Sequence, residues 1–349
     1  MSLPCGVYNQ SYGQDMAIVR TRLQWVLTIG GVAVIFLGLF LFANNYVLGV
    51  ANMIGIMIIA ALGLQILTGY AGQFSIAHAA FMAVGGYTSA IVASHGVPFW
   101  LAIVCGALVS GFIGLIFGLP SVRIKGFYLI MATLAAQYIL MYIIVHWPAL
   151  TGGVLGHHAP SPSIGDWRIS DERSWFMLIL TCLIVATVLA KNIVRSKVGR
   201  AFVAIRDNDL AAEVMGVSLF HYKSLAFFIS CLFAGAAGSL YAHWQRTISP
   251  TAFQLDLSIA FLGYLIVGGL GSITGTYFGV ILLVGLTEVL TQLFTVLGSS
   301  FPQAMALIAP LRLVLFGGVV ILFLLFQPRG LGHWWETFKM YYRIWPYQH

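Results

Sequence analysis

The sequence predicts an all-α, polytopic membrane protein of about ten transmembrane helices, interrupted by Gly-rich breaks. Three observations carry that expectation. Apolar residues make up 60% of the chain and charged residues only 8%, whereas a soluble domain carries roughly a quarter charged residues. Apolar runs of spanning length recur, most clearly Trp25 to Phe42, Leu101 to Leu119, Phe176 to Ala190 and Leu311 to Phe326; about 20 apolar residues cross ~30 Å of hydrocarbon. The charges that remain collect at the ends of these runs.

In chain order the expected spans are 25–44, 49–67, 76–93, 99–119, 127–146, 175–190, 225–243, 257–270, 275–296 and 306–326. They divide the chain into an N-terminal segment (1–24), a transmembrane domain (25–326) containing a polar inner loop (191–224), and a C-terminal tail (327–349). The segment before residue 25 is polar for too long to be a cleaved signal peptide, so the first span is expected to stay in the mature protein. Sorting Lys and Arg by alternate loops sets thirteen on one side (Arg20, Arg22, Arg123, Lys125, Lys191, Arg195, Lys197, Arg200, Arg206, Lys223, Arg329, Lys339, Arg343) against three on the other (Arg168, Arg173, Arg246). The positive-inside rule makes the richer side cytoplasmic. Both termini then lie inside, as an even number of spans requires, and the expected location is the cell inner membrane. Trp147, Trp167 and Trp175 flank the outer loop, and Trp334 and Trp335 follow the last span, where interfacial aromatics belong.

Composition also excludes. The net charge of +7 does not point to nucleic acid, because the basic residues sit at span ends rather than on one aromatic-interleaved face. Cys5, Cys105, Cys182 and Cys231 show no CxxC spacing and read as small hydrophobes. His95, His146, His157, His158 and His243 fall near the outer face, but their spacings match no zinc pattern, so no metal is expected. HExxH, GxSxG and paired intramembrane carboxylates are missing, which argues against an intramembrane enzyme.

Three segments stand above the apolar background. Between the second and third spans, Gly69, Tyr70, Gly72, Gln73, Ser75 and His78 interrupt the hydrophobic run. Irregular backbone at membrane depth is tolerated only where protein buries it or water wets it. These residues are therefore candidates to line a passage, the alternative being a polar turn at the inner surface. Between the eighth and ninth spans, Gly268, Gly269, Gly271 and Ser272 form a second break. It has the glycines of a phosphate loop but no GxxxxGK[ST], so it is not expected to hold ATP. Downstream, the Gly275–Gly279 spacing suits close packing of two helix backbones. The third segment is the inner loop, which reads as two short helices. Asp207 or Asn208 can cap the second, Asp209 falls in its first turn, and Gly216 can end it. Leu210, Val214 and Met215 then form an apolar face opposite Glu213. An amphipathic helix displayed in this way suits a partner's groove; lying on lipid is the alternative.

At this loop the sequence resembles a known family. Ala211-Ala212-Glu213 followed by Gly216 looks like the coupling loop of ABC importer permeases. Gly63 to Ser75, Lys125-Gly126-Phe127-Tyr128, Leu150-Thr151-Gly152-Gly153, Gly268 to Gly275 and Pro328-Arg329-Gly330-Leu331 are similar to the branched-chain amino-acid permeases, and to the longer of their two partner permeases, which also has a urea-transporting relative. The likeness spans about residues 49 to 332. It departs after Gly153, where Val154-Leu155-Gly156 is followed by His157-His158 rather than by a polar residue, glycine and an aliphatic. The resemblance implies a homologous second permease, cytoplasmic ATP-binding subunits docked on the inner loop and an extracytoplasmic substrate-binding protein, with ATP on the partner subunits and no cofactor on this chain. Coupling would then fall to Arg200, Arg206, Asp207, Asp209, Glu213, Met215 and Gly216. The cargo implied is a branched-chain or related hydrophobic amino acid, with urea or a short amide as the alternative.

A transporter of another class, driven by an ion gradient, needs a relay of buried carboxylates. Only Glu288 and Arg312 are charged within the spans. They suit a structural ion pair better than a relay. The charge sorting sets a direct test: a cysteine at 157 should react with an impermeant reagent on intact cells and one at 206 should not. The reverse pattern would invert the topology.

Overall fold

The computed structural model describes residues 44–122, 126–164, 167–168, 171–298, 308–327 and 329–344. The N-terminal segment and nearly all of the first expected span lie outside these residues. The chain divides into two compact units, 1–49 and 50–349. The described structure of the first is residues 44–49.

Helix α1 (Asn45–Leu64) runs into a π-helix (Gln65–Tyr70). After an irregular segment come α2 (His78–Ser94), α3 (Phe99–Gly118), α4 (Phe127–His146), the single turn α5 (Pro148–Thr151) and α6 (Glu172–Arg195). The inner loop holds α7 (Lys197–Asp207) and α8 (Asp209–Val214), and then α9 (Leu219–Gln245), α10 (Leu255–Gly268), α11 (Ile273–Gly298), α12 (Ile308–Phe326) and α13 (Gly330–Ile344) complete the chain. Among the described residues, seven helices are long and apolar enough to cross a membrane; α12 with the start of α13, bent by 51° between them, makes an eighth. Helix α2 has only 17 residues, because the break takes up its N-terminal end. The tail expected after residue 327 is helical from Gly330 to Ile344.

Why α2 can begin inside the protein follows from its first amides. Four N–H groups at a helix start have no partner within the helix, and in hydrocarbon each must find one. The Ser258 hydroxyl accepts from Ala79 N–H at 2.9 Å and Gln137 Oε1 accepts from Ala80 N–H at 3.0 Å. Ser258 also donates to Gln137 Oε1 at 3.1 Å, while Gln137 Nε2 donates to the Phe253 carbonyl at 2.9 Å. One step earlier, Thr133 Oγ1 accepts from Ile76 N–H at 3.1 Å. Helices α4 and α10 thus cap the start of α2 with side chains.

The core forms where α2, α3 and α9 meet at backbone contact. A Cβ on Gly238 would overlap the Met82 carbonyl, and one on Gly85 would overlap the Gly235 backbone. Small residues at such crossings let dispersion and short polar bonds replace the hydrophobic drive that lipid cannot supply. Ser110 donates to the carbonyls of Phe81 and Cys231, both at 2.8 Å, and Ser239 donates to that of Gly85 at 3.1 Å. The close approach expected from Gly275 and Gly279 is present: Gly275 lies on Gly268, and a Cβ at Gly279 would overlap the Tyr264 carbonyl. The outward faces carry Phe112, Ile116, Val188, Leu189, Ile281 and Leu325 exposed, as lipid-facing helices do.

At the end carrying His95 and Arg246, two distant loops join. Strand β1 (His157–His158) pairs antiparallel with β4 (Thr247–Ile248), and Ala159 N–H donates to the Arg246 carbonyl at 2.8 Å. A second pair, β2 (Ser163–Ile164) with β3 (Trp167–Arg168), lies between β1 and α6 in the chain. His243 closes this end: Nδ1 donates to the Pro160 carbonyl at 3.0 Å, and Nε2 lies 3.0 Å from the Ser89 hydroxyl.

The glycine crossing sets the stability test. Gly238→Val should destabilise the protein by about 1–3 kcal/mol through overpacking. Gly285→Ala, where a Cβ meets open space, should change stability by less than ~0.5 kcal/mol. Thermal unfolding in detergent compares the two.

Candidate functional site

The two Gly-rich breaks are separated by about two hundred residues and meet in space. In the first, Ala71 N–H donates to the Ile66 carbonyl at 3.1 Å, Gln73 N–H donates to that of Leu67 at 3.0 Å, and Thr68 Oγ1 donates to that of Gln73 at 3.0 Å. The chain leaves the helix through Gly72, at φ +68°. In the second, Gly269 (φ +108°) and Gly271 (φ +82°) end α10, and the Ser272 hydroxyl accepts from Gly275 N–H at 3.1 Å to start α11. L-residues with a Cβ rarely adopt these angles. Gln65 joins the two breaks: its Nε2 donates to the carbonyls of Gly269 and Ser272, each at 3.1 Å. Gly69 packs so closely that a Cβ there would lie 2.7 Å from Gly271 N.

The inner loop reaches the same point. Arg206, near the end of α7, donates from Nη1 to the Gly69 carbonyl at 3.0 Å, and its Nε and Nη2 both bond Asp207 Oδ1 at 3.1 Å. Its backbone and stem press on Gly72, where a Cβ would meet Arg206 Cγ at 2.9 Å. From the far end of the chain, Gly330 (φ +70°) packs on Gly269, and Gly332 packs on Ser272. Segments 69–73, 206–209, 268–272 and 329–332 therefore form one junction.

Helix α8 leaves this junction at Asp209, and both its ends are capped. Asn208 is the N-cap, its side chain accepting from Ala211 N–H at 3.1 Å, and Asp209 occupies the first turn. Gly216 closes the turn at φ +86°. Ala212 is buried, while Leu210, Val214 and Met215 are 66%, 86% and 83% exposed, with Glu213 exposed beside them. On the buried side, Lys223 Nζ lies 3.5 Å from Asp209 Oδ2. Arg200 is exposed on α7 and Nη1 donates to the Arg195 carbonyl at 3.5 Å.

Of the residues singled out in the first break, Gly69 and Gln73 are buried at the junction, Tyr70 is half-buried and Gly72 is exposed. Ser75 and His78 are turned into the helix packing: Ser75 accepts from Ala77 N–H at 3.4 Å, and His78 Nε2 donates to the Ala60 carbonyl at 2.8 Å with its ring edge-on to Phe261. In the second break Gly268 and Gly269 are buried, and Gly271 and Ser272 are half-buried. Glu288 is half-buried on α11. Arg312 belongs to α12, and its side chain lies outside the described structure. Sequence reasoning missed Gln65, Gln137 and the Lys223–Asp209 pair. A lone amide inside an apolar span was the available signal for the first two. A cavity of about 820 Å³ lies toward the opposite end, where Tyr138, Tyr142 and His146 of α4 face Thr251 and Asp256.

Comparison with known proteins decides the family. The profile of the branched-chain amino acid transport system permease component matches residues 46–324, which contain both breaks and the inner loop. The chain belongs to this family. It is 29% identical to the LivM permease protein of a high-affinity branched-chain amino acid transport system from Salmonella typhimurium, over 81% of this chain and 69% of the relative. It is 25% identical to the L-arabinose permease protein AraH of Escherichia coli, over 72% and 78%, and 23% identical to the Salmonella typhimurium LivH permease protein, over 78% and 89%. No solved structure matches. Family membership and the apolar helices make this a multi-pass membrane permease.

In this permease Gln65→Leu should leave the carbonyls of Gly269 and Ser272 without their donor, at a cost of about 1–3 kcal/mol. Lowered thermal stability with a proportionate loss of uptake is the expected result. Unchanged stability would mean that Gln65 does not tie the breaks together.

Proposed function

We propose that the chain is the membrane-spanning subunit of an ATP-driven importer for branched-chain or related hydrophobic amino acids, working beside a second, homologous permease. One observation supports this reading above the others: α8, with its exposed Leu210, Val214 and Met215, follows directly on α7, whose Arg206 bonds the first break at Gly69, and Gln65 bonds that break to the second. A soluble subunit that grips Leu210, Val214 and Met215 has a rigid route to both interruptions of the bundle.

In this reading the ATP-binding subunits supply hydrolysis, because the chain carries no phosphate-loop lysine. Their opening and closing shifts the α7–α8 corner. Arg206, anchored at once to Asp207 and to the Gly69 carbonyl, passes the shift to the segment 69–73. Gln65 and the Gly69–Gly271 contact pass it on to 268–272. The breaks can yield where a continuous helix cannot, since the backbone groups freed there are held by single side chains. ATP thus acts on the passage by biasing two arrangements of one junction. An extracytoplasmic binding protein delivers the cargo at the opposite end, where β1–β4 and the outer cavity lie. Both chain termini and α8 are then cytoplasmic, and the location is the cell inner membrane.

Glu213→Lys reverses a charge on α8 without entering the bundle. It is expected to lower leucine uptake and substrate-stimulated ATP hydrolysis together, by roughly tenfold if the lost contact contributes ~1.4 kcal/mol. Reconstituted vesicles with the ATPase and binding protein present give both rates. Hydrolysis and assembly unaffected while uptake falls would remove α8 from the coupling role.

A further inference from the structure

Helix α13 starts at Gly330, close behind Phe326 of α12, and is turned by 51° from it. Its fifteen residues rise about 22 Å, short of the ~30 Å of hydrocarbon, so α13 alone does not cross the membrane. Trp334, Trp335, Phe338 and Tyr341 recur along it at helical spacing, and all four are exposed. That spacing gathers them into one arc of the helix. The side away from them begins at Gly332, against Ser272, and continues one turn later at Glu336.

The aromatic arc runs on from a lipid-facing surface. Trp335 stacks on Phe338 with ring planes 18° apart, and its ring centroid lies 5.8 Å from that of Phe278 on α11. Phe278 and Ile281 are exposed one turn apart on that span. The residue types set the depth. On α12 the exposed face is made of Ile321, Leu322 and Leu325, as hydrocarbon requires. On α13 it changes to indole and phenol, which join a flat apolar body to a polar N–H or O–H and settle at the headgroup boundary. The same fifteen residues hold Lys339 and Arg343 against one acid, Glu336, a balance that suits phosphate headgroups.

We propose that α13 lies along the membrane surface, with Trp334, Trp335, Phe338 and Tyr341 set into the headgroup boundary of the phospholipid. The occupant of this face is the bilayer. A soluble subunit would have to displace lipid from Phe278 before it could reach Trp335. Gly330 packs on Gly269 and Gly332 packs on Ser272 at the start of the same helix. The hold of the bilayer on α13 is therefore also a hold on the second break. The inference needs only the membrane-spanning fold, and neither the cargo nor the ATPase enters it.

Tryptophan fluorescence of the full-length chain in phosphatidylcholine nanodiscs tests this, with no other subunit present. The emission lost on combining Trp334→Phe with Trp335→Phe isolates these indoles from the rest. Phosphatidylcholine brominated high in the acyl chain should quench that difference most strongly, since such a helix sinks only about 5–10 Å past the headgroups. Bromine near the chain ends and iodide in the water should each quench it less. Phe338→Trp adds an indole to the middle of the face, and its added emission should follow the same order. Any other order overturns the proposal. Iodide strongest would leave the face standing in water for a soluble partner, and the deep bromine strongest would place α13 inside the bilayer. If one variant fails to fold, the other still decides.

Discussion

A helix interrupted within a bilayer frees amides and carbonyls that lipid cannot satisfy, and the architecture of this permease is organised around doing so from within. At the start of α2 the task falls to Ser258 and Gln137. At the meeting of the two breaks it falls to Gln65 and Arg206. Each of these side chains comes from a different helix from the backbone it serves. Every interruption is therefore also a cross-link. The bundle does not merely tolerate its irregular segments; it is joined through them.

The division of labour follows. Helices α2, α3 and α9 pack through glycine and serine with their backbones in contact, and α10 packs on α11 through Gly268, Gly275 and Gly279. These regions have little room to deform, because interiors packed at this density switch between arrangements rather than flexing. The junction is held differently, by a few hydrogen bonds to carbonyls and by glycines at positive φ. Among the described residues the bundle is thus a stiff body with a more compliant seam where the loop and both breaks converge.

Much of this was legible in the sequence. Span positions follow from apolar run length, which the bilayer fixes directly. Both ends of α8 follow from local chemistry, since Asn208 and Gly216 act within three residues of themselves. The positions of the breaks follow from their glycines. What those breaks contact was not legible, because the Gln65 bonds reach across more than two hundred residues and no local pattern encodes them. Helix α13 falls in the stretch read simply as a tail, and its Gly330 and Gly332 permit close packing on Gly269 and Ser272, residues some sixty positions away in the chain. The shortness of α2 was equally hidden: hydropathy registers Ile76 and Ala77 as span, and only the side chains of α4 and α10 explain where the helix begins.

The pairing of β1 with β4 has a bearing on how the outer face can be handled experimentally. His157 and His158 share a ladder with Thr247 and Ile248, and Ala159 is bonded to Arg246. The loop after α5 and the turn after α9 are thus one mechanical piece, although some ninety residues of chain separate them. An epitope, fluorophore or protease site grafted into either alters both. The turn at Gly96 is different, for a Cβ there meets only open space. Its φ of +87° still disfavours any residue with a Cβ, so a label belongs beside Gly96 and not in its place.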